Sequence, residues 1–331
     1  MYFTLKILLL FINCSLLVTV HTRSFEAQSK IVGGYEATPY SHPYLVSLQT
    51  RFLWVRVHNC GGAILNERWV LSAAHCAVES WLTRWLPLDV VAGIHDIDKF
   101  GNQAQIIRIN ERLPHPLYEG GIGPYDVAVF STVSPFRFTK YVQPVNLPIN
   151  YKANGGPMKL AGWGVLKTTV FIPALPSKLQ EVKVTYIPYE ECYQAIEKLK
   201  EDYEENPLDR NANICTGPIT GGVAACSGDS GGPLIQFVRN DILDPNDPVE
   251  DNTERYDASN YNCTNDNEAT ESATTEATKR QDRQTVDEYI PVVVGIVSWG
   301  VSPCGEKGAP TIYTNVSTYL DFINYNVKDL F

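Results

Sequence analysis

Three short stretches carry residue types that could act on one another. AAHC sets His75 beside Cys76, YDVAVF opens an apolar run with Asp126, and CSGDSGGP holds Ser230 in a glycine turn directly after Asp229. A serine hydroxyl is a poor nucleophile at neutral pH and needs a base to take its proton as it attacks a carbonyl. Imidazole, with an intrinsic pKa of about 6.5, suits that task, and a carboxylate across the ring can fix its tautomer. Together the three would serve acyl transfer. Taken singly, each has a plainer reading: a structural histidine, an aspartate capping a turn, a serine in a flexible acidic loop. His21 lies at the end of the apolar N-terminal stretch, while His42, His58, His95 and His115 sit in turn-like contexts. No HExxH or clustered Cys/His spacing points to zinc.

The elements that must position these residues read as short strands. YLVSLQ, GGAIL, WVLSAA, LDVVAG, QIIRI, DVAVF, KLAGWGV, LQEVKVTYI and GGPLIQF alternate with Gly, Pro and Asn punctuation, and IPVVVGIVSWG follows later. That pattern specifies an all-β barrel or sandwich and not βαβ units. Helical spacing is confined to YEECYQAIEKLK and to STYLDFINYNVKDLF. The latter begins with Ser317 as N-cap and sets Tyr319, Phe322, Ile323 and Val327 on one face. QTRFLWVRVHN and AVESWLTRWLPL read as enlarged loops that bring Trp54, Trp81 and Trp85 to a surface, as contact residues or as loop anchors.

With 331 residues, 44% hydrophobic and 19% charged, the chain has globular composition. Residues 1–22 carry one lysine and an apolar run too short to span a bilayer, and read as a secretory signal; nothing later could span one either. The alternative is a retained anchor. The net charge of -10 is concentrated in one segment. Residues 239–288 hold fourteen acidic against five basic side chains and almost no aliphatic pattern, which predicts a disordered acidic insertion at 239–289. No basic stripe proposes nucleic acid as a partner. Without Cys14 in the signal, seven cysteines remain, an odd number; in an exported chain most would form disulfides, leaving one over. Asn262 and Asn315 stand in glycosylation sequons.

With IVGG from Ile31 and SWG from Ser298, the three stretches resemble, in order, the chymotrypsin and trypsin family of serine endopeptidases. The resemblance covers residues 31–331 apart from the insertion. It implies two six-stranded antiparallel β-barrels with a C-terminal helix and a boundary near residues 140–155. It also implies a catalytic cleft between the barrels: Ser230 as nucleophile, His75 as base, Asp126 behind it, and the N–H groups of Gly228 and Ser230 as oxyanion donors. Residues 23–30 become a propeptide; cleavage after Lys30 would free the Ile31 amine to pair with Asp229. Cys60 would pair with Cys76, Cys192 with Cys215, and Cys226 with Cys304; the absence of further family bridges is a pattern of invertebrate members.

The resemblance places Ala224 at the floor of the specificity pocket and Ser298, Gly300 and Thr311 around it. Ala224 offers no carboxylate to a cationic side chain, and Thr311 shortens the pocket, so small or medium aliphatic P1 residues are expected, with aromatic P1 residues as the alternative. A non-catalytic homologue acting as a binding protein is the competing class. Ile94 stands where a calcium loop would begin, and neither calcium nor another cofactor is expected. Partners implied are protein and peptide substrates, an activating trypsin-like protease and protein protease inhibitors. The protein is expected to be secreted and monomeric, with no membrane attachment after signal cleavage and no nucleic acid.

Overall fold

The structure, a computed structural model, describes residues 33–78, 85–153, 155–165, 176–201, 203–239 and 289–327. Strands β1 (Tyr35–Glu36), β2 (Leu45–Phe52), β3 (Val55–Ile64), β4 (Trp69–Ser72), β5 (Leu88–Ala92), β6 (Gln105–Pro114) and β7 (Ala128–Thr132) fill the first half. Six of them close an antiparallel barrel in the order β2-β3-β4-β7-β6-β5. The second half holds β8 (Pro157–Gly162), β9 (Gln180–Ile187), β10 (Asn213–Gly217), β11 (Pro233–Arg239), β12 (Tyr289–Gly300) and β13 (Thr311–Asn315). They run β9-β10-β13-β12-β11-β8, and the β8–β9 pairing closes this second barrel, with β1 added to β9. Two antiparallel six-stranded barrels are therefore the fold.

Strand alternation divides one apolar set between three destinations. Val46, Leu48, Val90, Ala128 and Phe130 fill the first barrel, and Leu160, Val182, Leu234, Val292 and Val294 fill the second. Their neighbours Leu45, Val91, Val129, Ile235 and Val293 point the other way, into a shared core that also takes Trp163 and Leu179. Because side chains alternate with period two, each strand can serve a barrel interior and the inter-barrel core at once. The catalytic candidates lie along that shared core.

Helix α1 (Ala74–Ala77) is a single turn after β4; α2 (Tyr189–Glu197) follows β9, and α3 (Leu320–Asn326) ends the described chain after a 3-10 turn at Val316–Tyr319. Tyr319, Ile323 and Val327 are buried, as their spacing requires, with Phe322 packed beside them. Ser317 does not cap this helix: it lies within the 3-10 turn and donates to Asn315 Oδ1 at 2.9 Å. The stretch read as an enlarged loop before Cys60 is instead paired strand, with Phe52 opposite Val55. All three expected disulfides are present. The acidic insertion with Cys263 and Asn262, the propeptide, Ile31 and Trp81 lie outside the described residues. No helix among the described residues is long and apolar enough to cross a membrane.

Candidate active site

His75 sits in α1, held against β3 by the Cys60–Cys76 disulfide and by the Ser72 hydroxyl, which donates to the Gly61 carbonyl at 2.8 Å. Asp126 lies just before β7 and is 1% exposed. Its carboxylate takes two bonds from His75: the backbone N–H reaches Oδ1 at 2.9 Å and ring Nδ1 reaches Oδ2 at 2.8 Å. Nδ1 therefore carries the proton, leaving Nε2 as the basic nitrogen. The Thr314 hydroxyl on β13 donates to the Asp126 carbonyl at 2.7 Å, and Ser298 on β12 donates to Oδ2. So both barrels grip this carboxylate. Ser298, read from sequence as pocket wall, has this second task.

Ser230 reaches the same place from the other barrel. Its carbonyl accepts the Gly61 N–H at 2.8 Å, and Gly231 donates to Val297 O at 2.8 Å. A Cβ at Gly231 would fall 3.0 Å from Cys76 Sγ and 2.1 Å from Ser72 Oγ, so only glycine lets the nucleophile loop approach α1 this closely. The loop is further tied by Cys226–Cys304. Gly228 has φ +98, and a Cβ there would press on the Gly164 Cα at 3.1 Å. Among the described residues no hydrogen bond takes up the N–H of Gly228 or of Ser230, so both can donate to an acceptor placed there.

His58 sets the aim of that turn. Its Nε2–H donates to the Gly228 carbonyl at 2.7 Å while Nδ1 accepts from the Ser47 hydroxyl at 2.7 Å. The Ser47 oxygen in turn accepts from Gln49 at 3.0 Å. Burial pushes the His58 pKa down, so the neutral ring that can serve as both donor and acceptor is the favoured form. A turn-like sequence context gave no sign of this contact. The other described histidines have packing partners: His42 bonds Glu181 at 2.6 Å, His95 bonds Glu36 at 3.1 Å, and His115 stacks on Tyr125.

Asp229 is 1% exposed and points back under the loop. It accepts the N–H groups of Gly164 at 2.8 Å and Cys226 at 2.9 Å. Loss of solvation outweighs both and raises its pKa from 3.8 to about 6. Gly162 and Gly164 crowd the carboxyl so closely that a Cβ on either would stand 2.2 Å from its oxygens. Gly33, the first described residue, packs on Gly222 and Val223 in the segment that leads to this loop.

Of the residues expected to form the specificity pocket, Thr311 contacts the Ala224–Ala225 segment and pairs with Gly300. Ala224 and Thr311 are buried, and the Thr311 hydroxyl accepts the Ala225 N–H at 3.2 Å. Gly300 pairs with Thr311 across β12–β13, and a Cβ there would meet nothing closer than the Pro310 carbonyl at 3.9 Å. Cys60, His75 and Cys76 form a cluster of ligand types, but the two sulfurs are joined as a disulfide and provide no thiolates.

Two barrels gripping one His–Asp pair beside a glycine-framed serine is an arrangement that comparison with known proteins can assign. The family model described as Trypsin matches residues 31–239 and 281–323. The chain belongs to the trypsin family. It is accordingly a serine endopeptidase, and its substrates are proteins. It is similar to lectizyme of Glossina austeni, 29% identical over 91% of this chain and 87% of that protein. It is also similar to trypsin-2 of Salmo salar, 34% identical over 62% of this chain and 79% of that one. Kallikrein-14 of Homo sapiens is 25% identical over 98% of this chain and 94% of its own. Within this family the fold and the chemistry are common property, whereas the contents of the pocket are particular to the chain.

Proposed function

We propose that this trypsin-family peptidase is a secreted, monomeric enzyme made as a zymogen, activated by a trypsin-like cut after Lys30, and selective for small to medium aliphatic residues at P1. Ser230 Oγ attacks the scissile carbonyl as His75 Nε2 takes its proton, and the oxyanion is received by the N–H groups of Gly228 and Ser230. Collapse breaks the C–N bond; His75 returns the proton to the leaving amine, leaving an ester on Ser230. Water, deprotonated by His75, then attacks the ester and releases the carboxylic acid. Asp126 keeps the ring in its working tautomer throughout.

Activation concerns Asp229. The freed Ile31 amine would supply the cation that a buried carboxylate needs, since an unpaired buried charge costs about 3 to 5 kcal/mol. Gly33, the first described residue, packs against Gly222 and Val223 in the segment that leads to Asp229, and this supports the reading.

The observation that supports the P1 reading is that Ala224, expected at the pocket floor, and Thr311, expected on its wall, are both buried and neither bears charge. Cationic P1 residues gain no partner there. The open wall at Gly300 favours a second reading, aromatic P1, which the branched Thr311 opposes. Apolar pockets separate neighbours by only about 1 to 3 kcal/mol per methylene, so a graded preference is expected. Profiling the Lys30-cut enzyme on peptides varied at P1 tests this: Ala, Val and Leu should lead, and a preference for Arg or Lys would overturn it.

A further inference from the structure

Asp126 stands just outside the strand pairing of the first barrel. β7 takes up its partners only from Ala128, opposite Ser72 on β4 and Pro114 on β6. The chain arrives there through YEGGIGPY, where a Cβ at Gly120, Gly121 or Gly123 would meet nothing within 4 Å. Tyr125, the last residue before the aspartate, is held in the left-handed region at φ +67, where a bulky side chain is strained. An open loop that ends on a strained residue does not by itself fix the carboxylate that follows, since strain persists only where the surroundings impose it.

The constraint comes from the far end of the chain. The Tyr319 hydroxyl, in the 3-10 turn after β13, accepts the Tyr125 N–H at 2.8 Å, while the Thr314 hydroxyl donates to the Asp126 carbonyl at 2.7 Å. Two hydroxyls of one C-terminal segment thus bracket the Tyr125–Asp126 pair. Aromatic packing completes the grip: His115 stacks on Tyr125 with centroids 4.8 Å apart, and Tyr319 and Phe322 close on His115 at 5.5 and 4.8 Å. Tyr319 is 4% exposed, and burial pushes its phenol up to about 12, so the accepting oxygen stays in a neutral hydroxyl. The segment is in turn anchored on the second barrel. Asn315 N–H donates to the Ala212 carbonyl at 2.8 Å, the Thr318 hydroxyl to that of Asn211 at 2.6 Å, and Val316 and Ile323 enter the shared core.

Reach is what such a grip decides. Asp126 meets His75 through two bonds of 2.9 and 2.8 Å, and the second stabilises the imidazolium that forms as Ser230 gives up its proton. A misplacement of about 1 Å at a catalytic group can cost as much as about a hundredfold in rate. Because the clamp belongs to the barrel that carries Ser230, it holds the carboxylate and the nucleophile in one frame.

We propose that Tyr319 is a positioning residue of the acyl-transfer centre: through the Tyr125 N–H, and together with Thr314, it sets where the Asp126 carboxylate meets His75. The proposal rests on the peptidase reading of Ser230. The test uses the full chain cut after Lys30 and titrated with a fluorophosphonate, so that kcat is expressed per competent site. Tyr319→Phe keeps the ring against His115 and removes only the accepting oxygen. It should lower kcat per site about tenfold with KM little changed. The low-field proton NMR signal of His75 Nδ1–H, which reports its bond to Asp126, should shift or broaden in the same variant. Thr314→Val should give the same pattern from the other side of the pair. Tyr325→Phe, which removes a hydroxyl from a 90% exposed residue of α3, should change neither readout.

Full kcat per titrated site in Tyr319→Phe, with the His75 signal in place and only Tm lowered, would overturn the proposal and leave Tyr319 a core residue. So would a raised KM at constant kcat, which would assign the turn to substrate binding through the glycine loop. Failure of the peptidase reading would look different, as absent turnover and no labelling of Ser230 in the unaltered cut chain.

Discussion

Keeping residues 30 and 31 joined should make the chain less stable as pH rises. In a Lys30→Gln chain the Ile31 nitrogen stays in a peptide bond and brings no charge to Asp229. Among the described residues no cation is paired with that carboxyl, and its two N–H partners do not offset desolvation, so its pKa rises from 3.8 to about 6. A carboxyl raised on folding holds more protons folded than unfolded between these values. Its contribution is complete below the unfolded pKa and is lost as pH rises through the folded one. At 1.36 kcal/mol per unit the shift corresponds to a loss of up to about 3 kcal/mol between roughly pH 4 and pH 7. In the cut chain the Ile31 ammonium should oppose that loss. Urea denaturation across this range, on the Lys30→Gln chain and on the cleaved enzyme, reads the difference. The uncut chain should lose stability toward neutral pH, the cleaved enzyme should not, and Asp229→Asn in the uncut chain should remove the slope. Identical pH dependence of cut and uncut chains would refute the reasoning.

Three further outcomes are expected. Gly228→Ala, which forces a side chain into a φ +98 turn against Gly164, should lower kcat about 10²- to 10³-fold by misdirecting an oxyanion donor, read in single-turnover assays. His58→Ala should lower kcat about tenfold with KM little changed, since it frees the Gly228 carbonyl without touching substrate; an unchanged kcat would remove His58 from the site. Glu181, bonded to His42, has its pKa lowered from 4.5 to about 2, so its contribution is present above the unfolded value and fades as pH falls toward 2. Denaturation between about pH 2 and pH 5 should show a shallower acid loss in Glu181→Gln.

Much of this molecule was legible because its chemistry demands particular residues in fixed local frames. A serine between glycines and a histidine beside a bridging cysteine are readable from a few neighbours, and strand alternation marked the runs that fill two barrels. What was missed lacks a local signature. β10, NICTG, is five residues with no alternating pattern to mark it; its place between β9 and β13 and its Cys192–Cys215 bond define it. The Phe52–Val55 turn reads as loop because Leu53 and Trp54 are not turn formers, yet the flanking register closes it into a ribbon. His58 meets Gly228 across 170 positions, and Ser298 meets Asp126 across 172. Such contacts are set by how the barrels pack, and no window of sequence contains them. Trp54 and Trp85, for which loop anchoring was one reading, are 84% and 77% exposed.

The central claim is that Ser230, activated by His75 and armed by a cut after Lys30, forms the acyl-enzyme. Fluorophosphonate labelling followed by peptide mapping tests it most directly. Labelling should fall on Ser230 in the cleaved chain, and be lost in His75→Ala and greatly reduced in Lys30→Gln. Labelling at another residue, or equal labelling of Ser230 in the uncut chain, would contradict the account.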